Sequence, residues 1–250
     1  GAGPGAPYPP PGPIGPPRVP ARGFSFVGQG PDRKPIRAAF YDDGFNVYHA
    51  QDDLGQPHLM WLDWNALALR LIPSKTEELV KVTICTAIKP PHASDKAQRH
   101  RKYLNALKST GVVCLQGDFA EEPRECRDCG ATWKAPVEKQ GDVNLAISII
   151  DDAHRDVFDH CYLVTADSDQ AATARLLKTA WPQKKLTTVV ITGRSHCKAL
   201  LAIADHKIVV SEASLEHSLF PSLITGPSAI RRPVEYDPPA GWVHPAARPK

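Results

Sequence analysis

The chain has 250 residues, 42% hydrophobic and 23% charged, a size and balance suited to one globular domain with extra segments. No window approaches the roughly 18 apolar residues of a membrane span, and the amino end lacks a charged-then-apolar leader, so a membrane partner and export are not expected and a cytoplasmic location is. A net charge of +3 and a pI near 8.5 permit a nucleic-acid partner without requiring one. Six cysteines in a chain with no export pattern read as reduced thiols rather than a disulfide scaffold.

In chain order, proline comes first. Eleven of the 25 prolines fall in residues 1–35 and six in residues 227–250. Such ends favour extended, solvated backbone, so residues 1–34 and 226–250 are expected to be disordered Pro-rich tails. A solubilising spacer is the simpler account of them, and a docking segment for a protein partner is the other. The middle, residues 35–225, alternates between two patterns. Apolar runs at 36–41, 79–88, 111–117, 161–166, 186–192 and 206–211 read as strands, and helical patterns occupy 61–72, 95–109, 141–157, 169–180 and 195–204. Near-continuous apolar strands alternating with helices predict an α/β fold, a Rossmann-like parallel sheet sandwiched by helices. Residues 117–140 are polar, lack a period and carry Cys126-x-x-Cys129; they read as an insertion loop.

Ligands of such a sheet bind beyond the carboxyl ends of its strands, which makes the acids there informative. The first strand runs into Asp42 and Asp43, and the strand at 161–166 into Asp167 and Asp169. Side chains alternate along an extended segment, so Asp167 and Asp169 are expected on one side, and Asp43 can meet them only if the two strands are neighbours. Asp142 opens a helix, where the macrodipole alone would favour an acid. Taken singly, these acids read as turn and cap residues. Taken together they read as an all-oxygen site for Mg²⁺ or Mn²⁺, because clustered carboxylates stay ionised only around a cation.

Three blocks of sequence carry a resemblance: "AAFYDDGFNVYH" at 38–49, "EKQGDVNLAISIIDDAHRDVFD" at 138–159 and "CYLVTADSDQ" at 161–170. With these blocks the chain resembles the NYN domain family, a LabA-like bacterial branch of the PIN-like nucleases. The resemblance implies a divalent-metal site that cuts RNA. Asp43, Asp142, Asp167 and Asp169 would form the acidic metal cluster, with Asn46 orienting a ligand, Thr165 bonding to that network and Lys139 touching phosphate. It also implies departures. Many relatives carry a further acid where this chain has Ser148, and an apolar residue where it has Gln170. A non-catalytic RNA-binding or regulatory module is therefore the alternative to a metal-dependent ribonuclease.

Two further features lie outside those blocks. The Cys126/Cys129 pair is half of a zinc site, with Cys114, His92 and His100 as candidates for the rest and free thiols as the simpler account. The helix at 95–109 carries Arg99 and Lys102 among five basic residues and suits either a phosphate backbone or a solvated face, and Trp133 is the candidate for stacking on a base. RNA, single-stranded or structured, is the expected partner, with a second copy of the chain as a further candidate.

Overall fold

The computed structural model describes residues 34–91, 94–226 and 228–248; the expected amino-terminal tail falls outside them. Strand β1 (Ile36–Asp43) leads into helix α1 (Gly44–Asp52), and a 3-10 turn at Pro57–Met60 leads into α2 (Trp64–Leu71). Strand β2 (Glu77–Thr86), helix α3 (Asp95–Ser109) and strand β3 (Val113–Gln116) follow. Strands β4 (Asp118–Glu125) and β5 (Thr132–Lys139) precede α4 (Gly141–His154). Then come β6 (His160–Val164), α5 (Ala171–Ala180), β7 (Lys185–Ile191), α6 (Lys198–Leu201), β8 (His206–Val210) and α7 (Glu212–Glu216).

Six strands form one sheet in the order β3-β2-β1-β6-β7-β8, all parallel. The chain steps outward one way from β1 and then the other way from β6, so the topological switch point lies between these two central strands. Pleat alternation sorts β1 between the layers. Ala38 and Phe40 face a core built with α1, α2 and α3, where Phe40 stacks on Tyr162 at 4.4 Å. Ala39 and Tyr41 face the second core, built with α4 and α5. The three-layer α/β/α sandwich expected from the sequence is the one observed.

Two segments differ from expectation. Residues 117–140 are not a loop but an antiparallel β-hairpin, β4 paired with β5 from Asp118↔Lys139 to Glu125↔Thr132. It stands as its own two-stranded sheet. Such a ribbon has two free outer edges, where a proline takes no bond from a ladder, so Pro123 and Pro136 are accommodated. The carboxyl-terminal segment, expected as a tail, lies against the domain. Ile230–Arg231 pairs with Leu223–Ile224, Ile230 and Tyr236 pack on the first core, and Trp242 donates to Glu216 at 2.9 Å. Scattered apolar anchors suffice here because proline leaves little backbone freedom to lose on ordering.

Candidate metal centre

The pairing of β1 with β6 brings the carboxyl ends of both strands together at the switch point, with Asp42 beside Val164. Asp43 ends β1 and caps α1: its Oδ1 accepts from the Asn46 N–H at 3.1 Å. Gly44 is required by the close approach of β2, since a Cβ there would meet the Cys85 carbonyl oxygen at 2.7 Å. The Thr165 hydroxyl donates to Asp43 Oδ2 at 2.8 Å and accepts from the Asp167 N–H at 3.0 Å. Asn46 Oδ1 accepts from the Ala166 N–H at 3.0 Å. These bonds stitch the loop after β6 to the start of α1 and fix Asp43 relative to Asp167.

Asp142 reaches the same place from the first turn of α4. Glu138 holds that turn, its Oε1 accepting from the Gly141 N–H at 2.8 Å. Gln170, buried beneath, donates to the Asp142 carbonyl oxygen at 3.2 Å and accepts from Thr173 at 3.0 Å. Asp43, Asp142 and Asp167 each offer a carboxylate oxygen, all within 4.8 Å of one another. They line a cavity of about 160 Å³ together with Phe45, Asn46, His49, Cys85, Glu138 and Gly141, and neither lysine nor arginine is among its walls.

Charge is uncompensated there. Burial raises the Asp43 carboxyl, the Asn46 and Thr165 bonds pull it down, and the charges of Asp142 and Asp167 push it up again. Asp142 is raised by burial and then by Asp167. Glu138 is raised by burial, with Asp142 and Asp43 adding to it. A divalent cation would relieve all of these at once, and a donor set of carboxylate oxygens fits a hard ion such as Mg²⁺ or Mn²⁺. On donor chemistry and charge, the residues fit the metal that the sequence implies.

Of the predicted residues, the structure gathers Asp43, Asp142, Asp167, Asn46 and Thr165. Thr165 is 1% exposed, with its hydroxyl held between two backbone-anchored partners, so it positions the cluster. Asp169 stays outside: it is exposed, and its N–H donates to Asp167 Oδ1 at 2.9 Å. The chain turns into α5 after Ser168, so the alternation expected of an extended segment does not hold. Lys139 pairs with Glu122 across the hairpin. Arg99 pairs with Glu235 at 2.8 Å, Lys102 is exposed on α3, and Trp133 stands half exposed near the hairpin's end; none of the three lines the acidic cavity. The Ser148 hydroxyl turns back to the Asn144 carbonyl oxygen of its own helix at 2.7 Å. Asp152, further along α4, is held at the second core by Tyr41 and Lys81 at 2.7 and 2.6 Å and does not line the acidic cavity. Glu138, His49 and Phe45 were not singled out. Glu138 stood in view within the "EKQGDVN" block, whereas His49 and Phe45 depend on α1, which the turn-like "DGFN" conceals.

A second cavity, of about 790 Å³, shares Phe45 and His49 with the first and continues along α1 and α3. Tyr48, Tyr103 and Tyr236 line it beside Lys89, Lys96 and Arg99. Tyr236 and Glu235 give it a wall that belongs to the carboxyl-terminal segment.

A parallel α/β sandwich with a carboxylate cluster at its switch point defines a class of nuclease-like folds. The chain belongs to the NYN domain family, whose model matches residues 37–212. It is 27% identical over 184 residues to the 6-hydroxy-3-succinoylpyridine 3-monooxygenase HspA of Pseudomonas putida, a match covering 59% of this chain and 57% of that protein. This chain thus spans little more than half the length of that relative. It also resembles the crystal structure of a protein of unknown function, VPA0982, from Vibrio parahaemolyticus, with a TM-score of 0.50 and 19% identity over 73% of this chain and 98% of the other. That likeness concerns the fold. Among the described residues no helix is long and apolar enough to cross a membrane.

Proposed function

We propose that this chain is a metal-dependent ribonuclease. The observation that carries the reading is the group of three carboxylates, Asp43, Asp142 and Asp167, clustered within 4.8 Å at the switch point with no cationic side chain lining their cavity. Mg²⁺ or Mn²⁺ held by these three would supply water activation and neutralisation of charge developing at the phosphate. The chain's own residues set the geometry. Asn46 and Thr165 fix Asp43 and the β6 loop, while Glu138 and Gln170 fix the turn that carries Asp142. A phosphodiester entering the small cavity passes Phe45 and His49, and the larger cavity beyond suits the neighbouring nucleotides. There Tyr236 offers a face for stacking and Lys89 a partner for phosphate, while Lys96 lies over the Tyr48 ring at 5.0 Å and Arg99 is paired with Glu235.

The test is cleavage of a labelled single-stranded RNA with Mn²⁺ or Mg²⁺, with chelator, and with Asp167→Asn. Metal-dependent cutting that the variant loses supports the reading. Binding of RNA without cutting, at any metal concentration, would replace it with a non-catalytic RNA-binding module. A second reading is favoured by the volume of the larger cavity and by the Pseudomonas relative, whose name specifies a pyridine substrate. In it, the tyrosines and Arg99 hold a small aromatic acid. Thermal stabilisation by aromatic carboxylates, with no response to RNA, would establish that reading instead.

A further inference from the structure

The hairpin of β4 and β5 ends in "CRDCG", Cys126 to Gly130. The turn is built as a knuckle. The Gly130 N–H donates to the Cys126 carbonyl oxygen at 2.9 Å, and the Cys126 N–H donates to Ala131 at 2.8 Å. Gly130 adopts a φ of +69°, the left-handed region that glycine enters without strain. The backbone N–H groups of Cys129 and Asp128 are directed at the Cys126 sulfur. Both cysteines are free, Cys129 is exposed, and the pair approaches to 3.4 Å. Two thiolates bound to one tetrahedral zinc stand about 3.7 Å apart, given Zn–S bonds of about 2.3 Å.

A structural zinc takes four ligands, and this pair supplies two. No third His, Cys, Asp or Glu among the described residues joins them in a metal-holding group. Of the other cysteines, Cys114 lies on β3 with its Sγ directed to the Val112 carbonyl oxygen, and His100 faces Thr86 at 3.3 Å. The undescribed positions of this sequence hold only two residues of ligand type, Asp32 and His92. They cannot make up the all-thiolate or thiolate-imidazole set usual for such a knuckle. The missing pair must come from outside, and an identical tip satisfies the demand by symmetry. Two copies give four thiolates around one ion on a twofold axis.

The tip is suited to meeting its own copy. Residues 121–134 carry four acids and three basic side chains, so two copies repel little. Trp133 stands 51% exposed beside the knuckle, paired across the ribbon with Arg124, and offers apolar area to a partner. We infer that the hairpin tip is half of an intermolecular zinc site, in which Cys126 and Cys129 of two copies of this chain bind one Zn²⁺ and join the chains as a dimer. This site is separate from the carboxylate cluster and does not depend on the nuclease reading.

The test uses the full chain and no RNA. Zinc content is measured on protein loaded with Zn²⁺ in excess Mg²⁺, beside the molecular mass in solution by sedimentation, and Co²⁺ serves as a probe of thiolate ligation. The expected result is one zinc per two chains, a doubled mass that chelator reverses, and a cobalt–thiolate charge-transfer band. Cys126→Ser and Cys129→Ser should each abolish all three, while Asp167→Asn leaves them in place. One zinc per monomeric chain, a dimer that persists in the serine variants, a Cys126–Cys129 disulfide in place of metal, or no thiolate-bound metal would each overturn the inference.

Discussion

The two ends of the central strands handle charge in opposite ways. At the amino ends of β1, β2 and β6, Asp156, Asp159 and Glu77 have partners. Arg37 bonds Asp156 and Asp159 at 2.9 and 2.7 Å, Lys184 bonds Asp156 at 2.8 Å, and Glu77 lies 2.9 Å from His160 and accepts from Tyr162 at 2.8 Å. There Arg37 pulls the Asp159 carboxyl down to about 2, and Lys184 and Arg37 lower Asp156. At the carboxyl ends, Asp43 on β1 and Asp142 on α4 are raised, and they have neutral hydrogen-bond partners and other acids around them but no lysine or arginine. Helix α4 repeats the contrast along its own length: Asp142 in its first turn is uncompensated, and Asp152 near its last is bonded to Lys81 and Tyr41. A compensated acid is a piece of the fold. An uncompensated group of three is an arrangement that a bound cation would complete.

Changing acids at each end should sharpen or break this contrast. The largest effect is expected on activity. Asp167→Asn should lower RNA cleavage on the order of 10³-fold or more, about 4 kcal/mol of transition-state stabilisation, with circular dichroism unchanged. Next comes Asp152→Ala, which strands a partly exposed lysine and a buried tyrosine and should cost about 2 kcal/mol in urea unfolding, leaving Mn²⁺ affinity as it was. Asp159→Asn removes a half-exposed partner of Arg37 and should cost about 1 kcal/mol. Because its folded carboxyl lies below the ordinary 3.8, the ion pair's contribution is fully present above that value and is lost as the pH falls toward about 2. The smallest effect has the opposite sign. Asp142→Asn should stabilise the metal-free protein by about 0.5 kcal/mol, because it relieves repulsion. A destabilised Asp142→Asn protein would mean that the cluster is held by contacts the structure does not contain.

Periodicity was a good guide where burial dictates sequence. The inner strands β1, β6 and β7 and the long helices α3, α4 and α5 follow runs whose apolar residues face a core, and the half-exposed edge strands β3 and β8 keep the same apolar run. It failed where pairing does not depend on apolar alternation. In "DFAEEPRE" and "TWKAPVEK" the hairpin is held by its backbone ladder and by exposed ion pairs such as Lys139–Glu122 rather than by an apolar face, so its strands read as a polar loop. Helix α1 begins at a glycine forced by the approach of β2, a constraint that belongs to tertiary packing. The same divide runs through the site. Asp43 and Asp167 were legible as acids ending apolar strands, and Asp142 as an acid opening a helix. The exclusion of Asp169 rests on the turn into α5, and Glu138 depends on a hairpin whose second strand leads directly into the first turn of α4. Gln170, a departure from the usual apolar residue, becomes intelligible only once its amide is seen to bridge Asp142 and Thr173.

The most direct measurement is a Mn²⁺ titration by calorimetry on the full chain, repeated on Asp167→Asn and on Asp159→Asn. Saturable binding that weakens as the pH is lowered, that Asp167→Asn removes and that Asp159→Asn leaves unchanged is the predicted result. No binding to the wild-type chain, or equal binding to the Asp167→Asn protein, would contradict the assignment of Asp43, Asp142 and Asp167 as a metal centre.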